Sequence, residues 1–236
     1  MMVNNMTPTV TIVTLLTDRR EFLPLLKACI NNQNYDKSKL EWVILDDGDD
    51  NNLDFDNCSV KPLYFHCSEK LTIGRKRNIA CRIATGEFVT FFDDDDIHYP
   101  TRVTAGMDTL TKRGQRYICG STKLDIADIS TGKIYRSGPF AKNHATAGTF
   151  FFRKQFLSMS SFRDSDRAGE EANFLKNYQT PMEQIRPEHT IICLAHSKNT
   201  VSKKRFFKDE KLIGTLDEKK LPKEITNKLE KLKKIL

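Results

Sequence analysis

Residues 87–96 read EFVTFFDDDD. An apolar run rich in β-branched and aromatic residues is the pattern of a strand buried on both faces. Here it runs without a break into four aspartates. The same join occurs upstream, where residues 41–50 read EWVILDDGDD. A third buried run, VTIVTLL, occupies 10–16. Between these runs the apolar period changes to that of helices. Phe22, Leu25, Leu26, Cys29 and Ile30 form one face, and Ile79, Ala80, Ile83 and Ala84 another. Alternating strands and helices imply an α/β fold, a mostly parallel sheet with helices on both faces. Ligands of such sheets bind beyond the carboxyl ends of the strands, and both acidic clusters fall at such ends.

Weaker signals complete the outline. Residues 62–66, 116–122 and 149–152 read as strands, 101–113 and 168–178 as helices, and Ser130–Lys133 as a hairpin turn. Asp18 is placed to cap the first helix. Leu221, Ile225, Leu229, Leu232 and Ile235 recur at helical spacing near the C-terminus. The chain of 236 residues therefore divides into a domain over 1–197 and a basic helical extension over 198–236.

Charge supports that division. Residues 201–236 hold 12 Lys/Arg and 6 Asp/Glu, a net of +6, against +7 for the whole chain. The first 200 residues are thus balanced, which argues against a nucleic-acid binder with a basic patch spread over its fold. The extension has two readings. One is a helix packed on its own domain or on a second subunit, and the other is a weak contact with an anionic membrane. The apolar side is narrow and lacks Trp and Phe, which favours packing. No stretch approaches the roughly 20 apolar residues of a spanning helix. The six cysteines show no CxxC pair or zinc spacing, with Cys119 and Cys193 in strand-like runs, and read as buried thiols. With no signal-type N-terminus, the expected location is the cytoplasm.

The aspartates carry the chemistry. Neighbouring carboxylates repel one another unless a cation compensates them. In an extended chain Asp93 and Asp95 point one way and Asp94 and Asp96 the other. Hard oxygen ligands of this kind suit Mg²⁺ or Mn²⁺. Asp96 alone could instead cap the helix near Pro100. The DDGDDNN segment fails as a calcium loop, because Asn57 stands where a bidentate Glu is required. Glu170 and Glu171 follow Gly169 and fit either a helix N-terminus or an acid/base role. His144 and Thr146 could line a ligand pocket or form a plain turn.

Taken in order, TIVTLLTDRREFLPLLKACINNQNY, EWVILDDGDDN, IGRKRNIACRIATGEFVTFFDDDD and a late GEE resemble a GT-A glycosyltransferase of family 2 over residues 9–196. The short form is similar to enzymes encoded by large DNA viruses, a likeness that implies the host cytoplasm as its location. The resemblance implies a nucleoside-diphosphate sugar donor, typically UDP-linked, and a hydroxyl acceptor on a glycan or glycoprotein. It also implies Mn²⁺ or Mg²⁺ and inversion at the anomeric carbon. It places Thr14 and Thr17 near the nucleoside, Asp47 on the base, and Arg77 and Asn78 near the nucleotide, with Gly74 allowing the approach. Asp93 and Asp94 fall on the donor side. Asp95 would bind the metal, with Asp93 and His196 beside it, and Glu171 would be the catalytic base. The family usually has Asp at that last position. The late QxxRW motif of processive synthases is missing, which implies transfer of one or few sugars. The rivals are a degenerate domain that binds without transfer and a Mg-dependent nucleotidyltransferase. The latter would show a glycine-rich phosphate loop that residues 15–20 lack.

Overall fold

The structure, a computed structural model, describes residues 7–50, 52–112, 116–199, 203, 207 and 211–236. The three buried runs form adjacent strands. β1 (Val10–Leu16) pairs in parallel with β2 (Leu40–Asp46) on one side and β4 (Phe88–Phe91) on the other, and β3 (Pro62–His66) extends β2 in parallel. β9 (Phe151–Arg153), β6 (Ile118–Gly120) and β10 (Glu183–Gln184) complete a seven-stranded sheet, order β10-β6-β9-β4-β1-β2-β3. β9 runs antiparallel to both neighbours, so the sheet is mixed with a parallel majority.

Side-chain parity assigns the helices. Val10, Ile12, Trp42 and Ile44 share one face with Leu23, Leu26 and Ile30 of α1 (Leu23–Asn31) and Val103, Met107 and Leu110 of α3 (Arg102–Lys112). Val13, Leu15, Val43 and Leu45 share the other with Ala80 and Cys81 of α2 (Ile73–Ile83). The helices thus cover both faces, and the strands' carboxyl ends point to one rim. Asp18 does not cap α1. Its side chain accepts from Asp49 N at 2.7 Å, while Phe22 precedes the helix and Pro24 sits in its first turn.

A second sheet joins β12 (Lys211–Thr215), β8 (Lys133–Ser137), β7 (Leu124–Asp128), β11 (Ile191–Ala195) and β5 (Asp96–His98) in that order, and only its β7–β8 hairpin and the strand-like run at Cys193 have counterparts in the sequence outline. β5 (Asp96–His98) begins inside the aspartate run and pairs with β11 (Ile191–Ala195). Asp96 is therefore a strand residue, not a helix cap, and its Oδ1 accepts from Leu194 N at 3.1 Å.

The C-terminal segment is interlocked with this sheet. β12 (Lys211–Thr215) pairs with β8, and α5 (Lys223–Lys233) buries Ile225, Leu229 and Leu232 among Phe22, Leu25, Ala28 and Cys29. Ile235, counted on the apolar stripe, is instead exposed. Residues 200–202, 204–206 and 208–210 of the expected extension lie outside the described residues. All six cysteines are free thiols, and no helix among the described residues is long and apolar enough to cross a membrane.

The helix expected over 168–178 shrinks to one turn, α4 (Glu171–Phe174). Lys176, Asn177 and Tyr178 take φ of 51, 54 and 61°, a left-handed stretch that ends any helix.

Candidate active site

The rim of the large sheet opens into a cavity of about 660 Å³. Its walls come from the ends of β1, β2 and β4, the start of α2, the loop before β9, and α4. Thr17, Asp47, Arg77, Asp93, Asp94, Asp95 and Glu171 all line it. His196 stands directly behind, its Nε2 3.1 Å from Asp95 Oδ2.

Asp47 follows the last residue of β2. Its Oδ1 accepts from Thr17 Oγ1 and from Lys76 Nζ at 2.8 Å, and its Oδ2 accepts from Leu71 N at 2.8 Å. Burial opposes the charge, but these donors outweigh it and hold the carboxyl below its ordinary range. The partners leave it an ionised acceptor at the cavity wall. Lys76 is a site residue that the sequence reading missed. It is adjacent to Arg77 in the GRKRN run, yet the two cations serve different acids.

Arg77 is wholly buried. Its Nε donates to Glu170 Oε1 at 2.8 Å, its Nη2 lies 3.4 Å from Asp93 Oδ1, and its guanidinium covers the Phe91 ring at 4.3 Å. Burial alone would weaken its charge, but Asp93 and Glu170 overcome that and raise the pKa. Arg77 thus ties β4's acidic end to α4. Gly148 makes room for this arrangement, since a Cβ there would stand 2.7 Å from Asp93 Oδ2.

The aspartate run does not stay extended. Asp94 and Asp95 occupy a turn, which ends the alternation of side chains. Arg19 reaches both, with Nη2 to Asp94 Oδ1 and Nη1 to Asp95 Oδ2, each at 2.5 Å. Burial pushes Asp94 well up, and Arg19 only partly opposes it. Burial also acts to raise Asp95, but the His196 hydrogen bond and the charges of Arg19 and Lys203 hold it well down. Burial takes Asp96 up to about 7 against the opposing charge of Lys203. Arg19 and Lys203 were also missed. Arg19 sits in a turn without apolar periodicity, and Lys203 among the tail's many lysines.

Glu170 and Glu171 divide their tasks. Gly169 at φ +68° turns the chain into α4. Glu170 precedes the helix and is pinned by Arg77. Glu171 opens the helix and faces the cavity. Burial raises its pKa, and the neighbouring Glu170 charge adds to that.

Three expected positions lie elsewhere. Thr14 is fully buried in β1, where its Oγ1 accepts from Trp42 Nε1 at 3.1 Å. Strand parity explains this, since Thr14 shares the face of Val10 and Ile12. Asn78 points away from the cavity and clamps the 162–164 segment, giving its Nδ2 to Phe162 O and accepting from Phe162 N at Oδ1. Gly74 serves the same segment. A Cβ there would lie 2.0 Å from Arg163 O. Gly74→Ala must move backbone, and a loss of about 1–3 kcal/mol in denaturant unfolding is expected. Wild-type stability would remove this packing role. Thr146 lines the cavity, whereas His144 stacks between Phe140 and Tyr178, with centroids at 4.7 and 4.8 Å.

The model of glycosyl transferase family 2 matches residues 11–166, about two-thirds of the chain. The chain belongs to this family. No curated protein matches it. Among solved structures, Staphylococcus aureus TarS superposes with a TM-score of 0.62 at 14% identity, covering 79% of this chain and 36% of TarS. The Pyrobaculum calidifontis mannosyltransferase PcManGT, solved with GDP-Man and Mn²⁺, gives 0.62 at 14% identity, over 83% of this chain and 59% of that one. TarS 1–349 with UDP-GlcNAc gives 0.57 at 16%, over 84% and 63%. The family 2 chain thus spans less than two-thirds of each of these neighbours. At such identities the likeness concerns the fold, and it agrees with the GT-A architecture.

Proposed function

We propose that this family 2 protein moves a single sugar from a nucleoside-diphosphate sugar, UDP-linked, to a hydroxyl of a glycan or glycoprotein, with inversion. The observation that carries this reading is the meeting of two chemistries in one cavity. Asp47 and the Asp93–Asp95 turn line its donor side, and Glu171, a carboxylate with a raised pKa, lines it from α4.

Asp47 is an ionised acceptor for an N–H of the base, and Thr17 orients it. Lys70, Arg167, Lys198 and Lys203 on the cavity wall suit an anionic diphosphate. The acceptor hydroxyl attacks the anomeric carbon while the bond from that carbon to the diphosphate oxygen breaks. Glu171 takes the hydroxyl proton. The products are the inverted glycoside and the nucleoside diphosphate.

The residues fit a divalent ion as a partial cage. Asp95 and His196 converge to 3.1 Å, and Asp94 Oδ2 is buried without a hydrogen-bond partner among the described residues. No cluster of three or more His, Cys, Asp or Glu able to hold a metal occurs among the described residues. Substrate oxygens and water complete such shells for Mg²⁺ and Mn²⁺. Asp95, with Asp94 and His196 beside it, would hold the ion, which supplies positive charge to the leaving diphosphate.

Thermal unfolding against UDP, GDP and other diphosphates, with and without Mn²⁺, tests the reading. A ligand at 100 times its dissociation constant stabilises by about 2.7 kcal/mol, a shift of roughly 5–11 °C at this size. A metal-dependent shift with one diphosphate, lost in Asp95→Ala, is expected. A folded protein that no diphosphate shifts would contradict donor binding. A shift indifferent to Mn²⁺ would contradict the metal.

A further inference from the structure

Arg19 occupies the place of a cation. Asp94, Asp95 and Asp96 are all buried, and buried carboxylates cannot stay ionised without compensating charge. The groups facing Asp94 and Asp95 are Arg19, His196, Asn199 and, farther off, Lys203, which lies 3.9 Å from Asp96; Asp93 adds negative charge. Among the described residues only Arg19 bonds to both Asp94 and Asp95. Its aim is set by the backbone. Asp18 takes φ 50°, a left-handed conformation uncommon for a non-glycine residue, and is held there by Asp49 N and Lys70. Yet 21% of the Arg19 side chain is exposed and it lines the cavity. The guanidinium can therefore swing off the carboxylates into open space without disturbing the core.

We propose that Arg19 is the resident counter-cation of the acidic turn, that it gives way to a divalent ion there, and that once displaced it pairs with the donor's diphosphate. The last part rests on the nucleotide-sugar reading, while the competition at Asp94 and Asp95 does not. Charge supports the exchange. A divalent ion sets two positive charges against this turn where Arg19 sets one. The released guanidinium then needs an anion, and a diphosphate fits its fork with two parallel hydrogen bonds. Ion and diphosphate should accordingly favour each other's binding, by the same factor in both directions.

The test is direct titration of Mn²⁺ binding, read from the electron paramagnetic resonance of the free ion. It compares wild type with Arg19→Gln, each with and without UDP. In wild type an ion must first displace Arg19's two charge-assisted bonds to Asp94 and Asp95, and a tenfold change in affinity corresponds to about 1.4 kcal/mol, no more than one such bond is worth. Arg19→Gln is therefore expected to bind Mn²⁺ alone about tenfold or more tightly than wild type, and to lose most of the help that UDP gives. Arg19→Lys keeps the charge without the fork and should move the same way by less. It also carries the test if Arg19→Gln does not fold. Equal Mn²⁺ affinity in wild type and variants without nucleotide would overturn the proposal. If wild type binds UDP but Mn²⁺ never binds to any form, the proposal and the metal reading both fall while donor binding stands.

Discussion

Glu171→Gln is expected to lower transfer by about 10²–10⁴-fold while leaving nucleotide affinity near wild type. The side chain faces the cavity, and amidation removes the proton acceptor with little change of shape. The sign of the pH effect follows from the raised pKa, which comes first from burial and then from Glu170. A base acts only when ionised, so kcat should fall as pH drops through that raised value. The acid limb should lie above the 4.5 of an ordinary glutamate. Glu170→Gln is the informative contrast. Its carboxylate is bound to Arg77 and nearly inaccessible, so its loss should reduce stability and keep the acid limb, displaced toward lower pH because the Glu170 charge no longer raises Glu171. Glu171→Gln retaining near wild-type kcat would refute the assignment. Loss of the acid limb in Glu170→Gln alone would move the base to Glu170.

Much of the fold was readable because its central strands are buried on both faces. Such strands require continuous apolar runs, and 10–16, 41–45 and 87–92 all form β1, β2 and β4 to within a residue or two. The second sheet left little trace for the opposite reason, only its β7–β8 hairpin and the run at Cys193. β5 and β12 have only three and five residues and are defined by partners rather than by a pattern of their own. α4 was overread because the sequence through Tyr178 keeps a helical look. The left-handed turn at 176–178 is closed by short-range bonds such as Thr180 N to Leu175 O, and Tyr178 is stacked on the distant His144, a contact that no local signal announces. In the site, acids were easier to place than bases. A carboxylate at a strand end has one direction to face, and Asp47 and Asp93–Asp95 all reach the cavity. A long cation such as Arg19, Lys76 or Lys203 finds its acid through the fold. Thr14 was misplaced although strand parity with Val10 and Ile12 carried the answer.

Arg77 shows how far a cation's task can lie from its sequence reading. Arg77→Ala is expected to cost about 3–5 kcal/mol, because removing it leaves Glu170 as an uncompensated buried charge and the half-buried Asp93 without its cation. At this chain size that is a fall in Tm of roughly 6–20 °C. Part of the loss comes from the cation–π contact with Phe91, worth about 0.5–2 kcal/mol. Arg77→Lys should recover only some of it, since one ammonium cannot reproduce the fork toward two acids. The decisive measurement is a double-mutant cycle with Glu170→Gln in denaturant unfolding. If Arg77 is a strut between β4 and α4, the double mutant should be more stable than Arg77→Ala alone, because the stranded charge has gone. If Arg77 instead acts by touching the nucleotide, Arg77→Ala should keep wild-type stability and lose diphosphate affinity. A buried guanidinium with its Nε on Glu170 predicts the first result. On that account Arg77 governs transfer by fixing where Asp93 and Glu171 stand relative to each other.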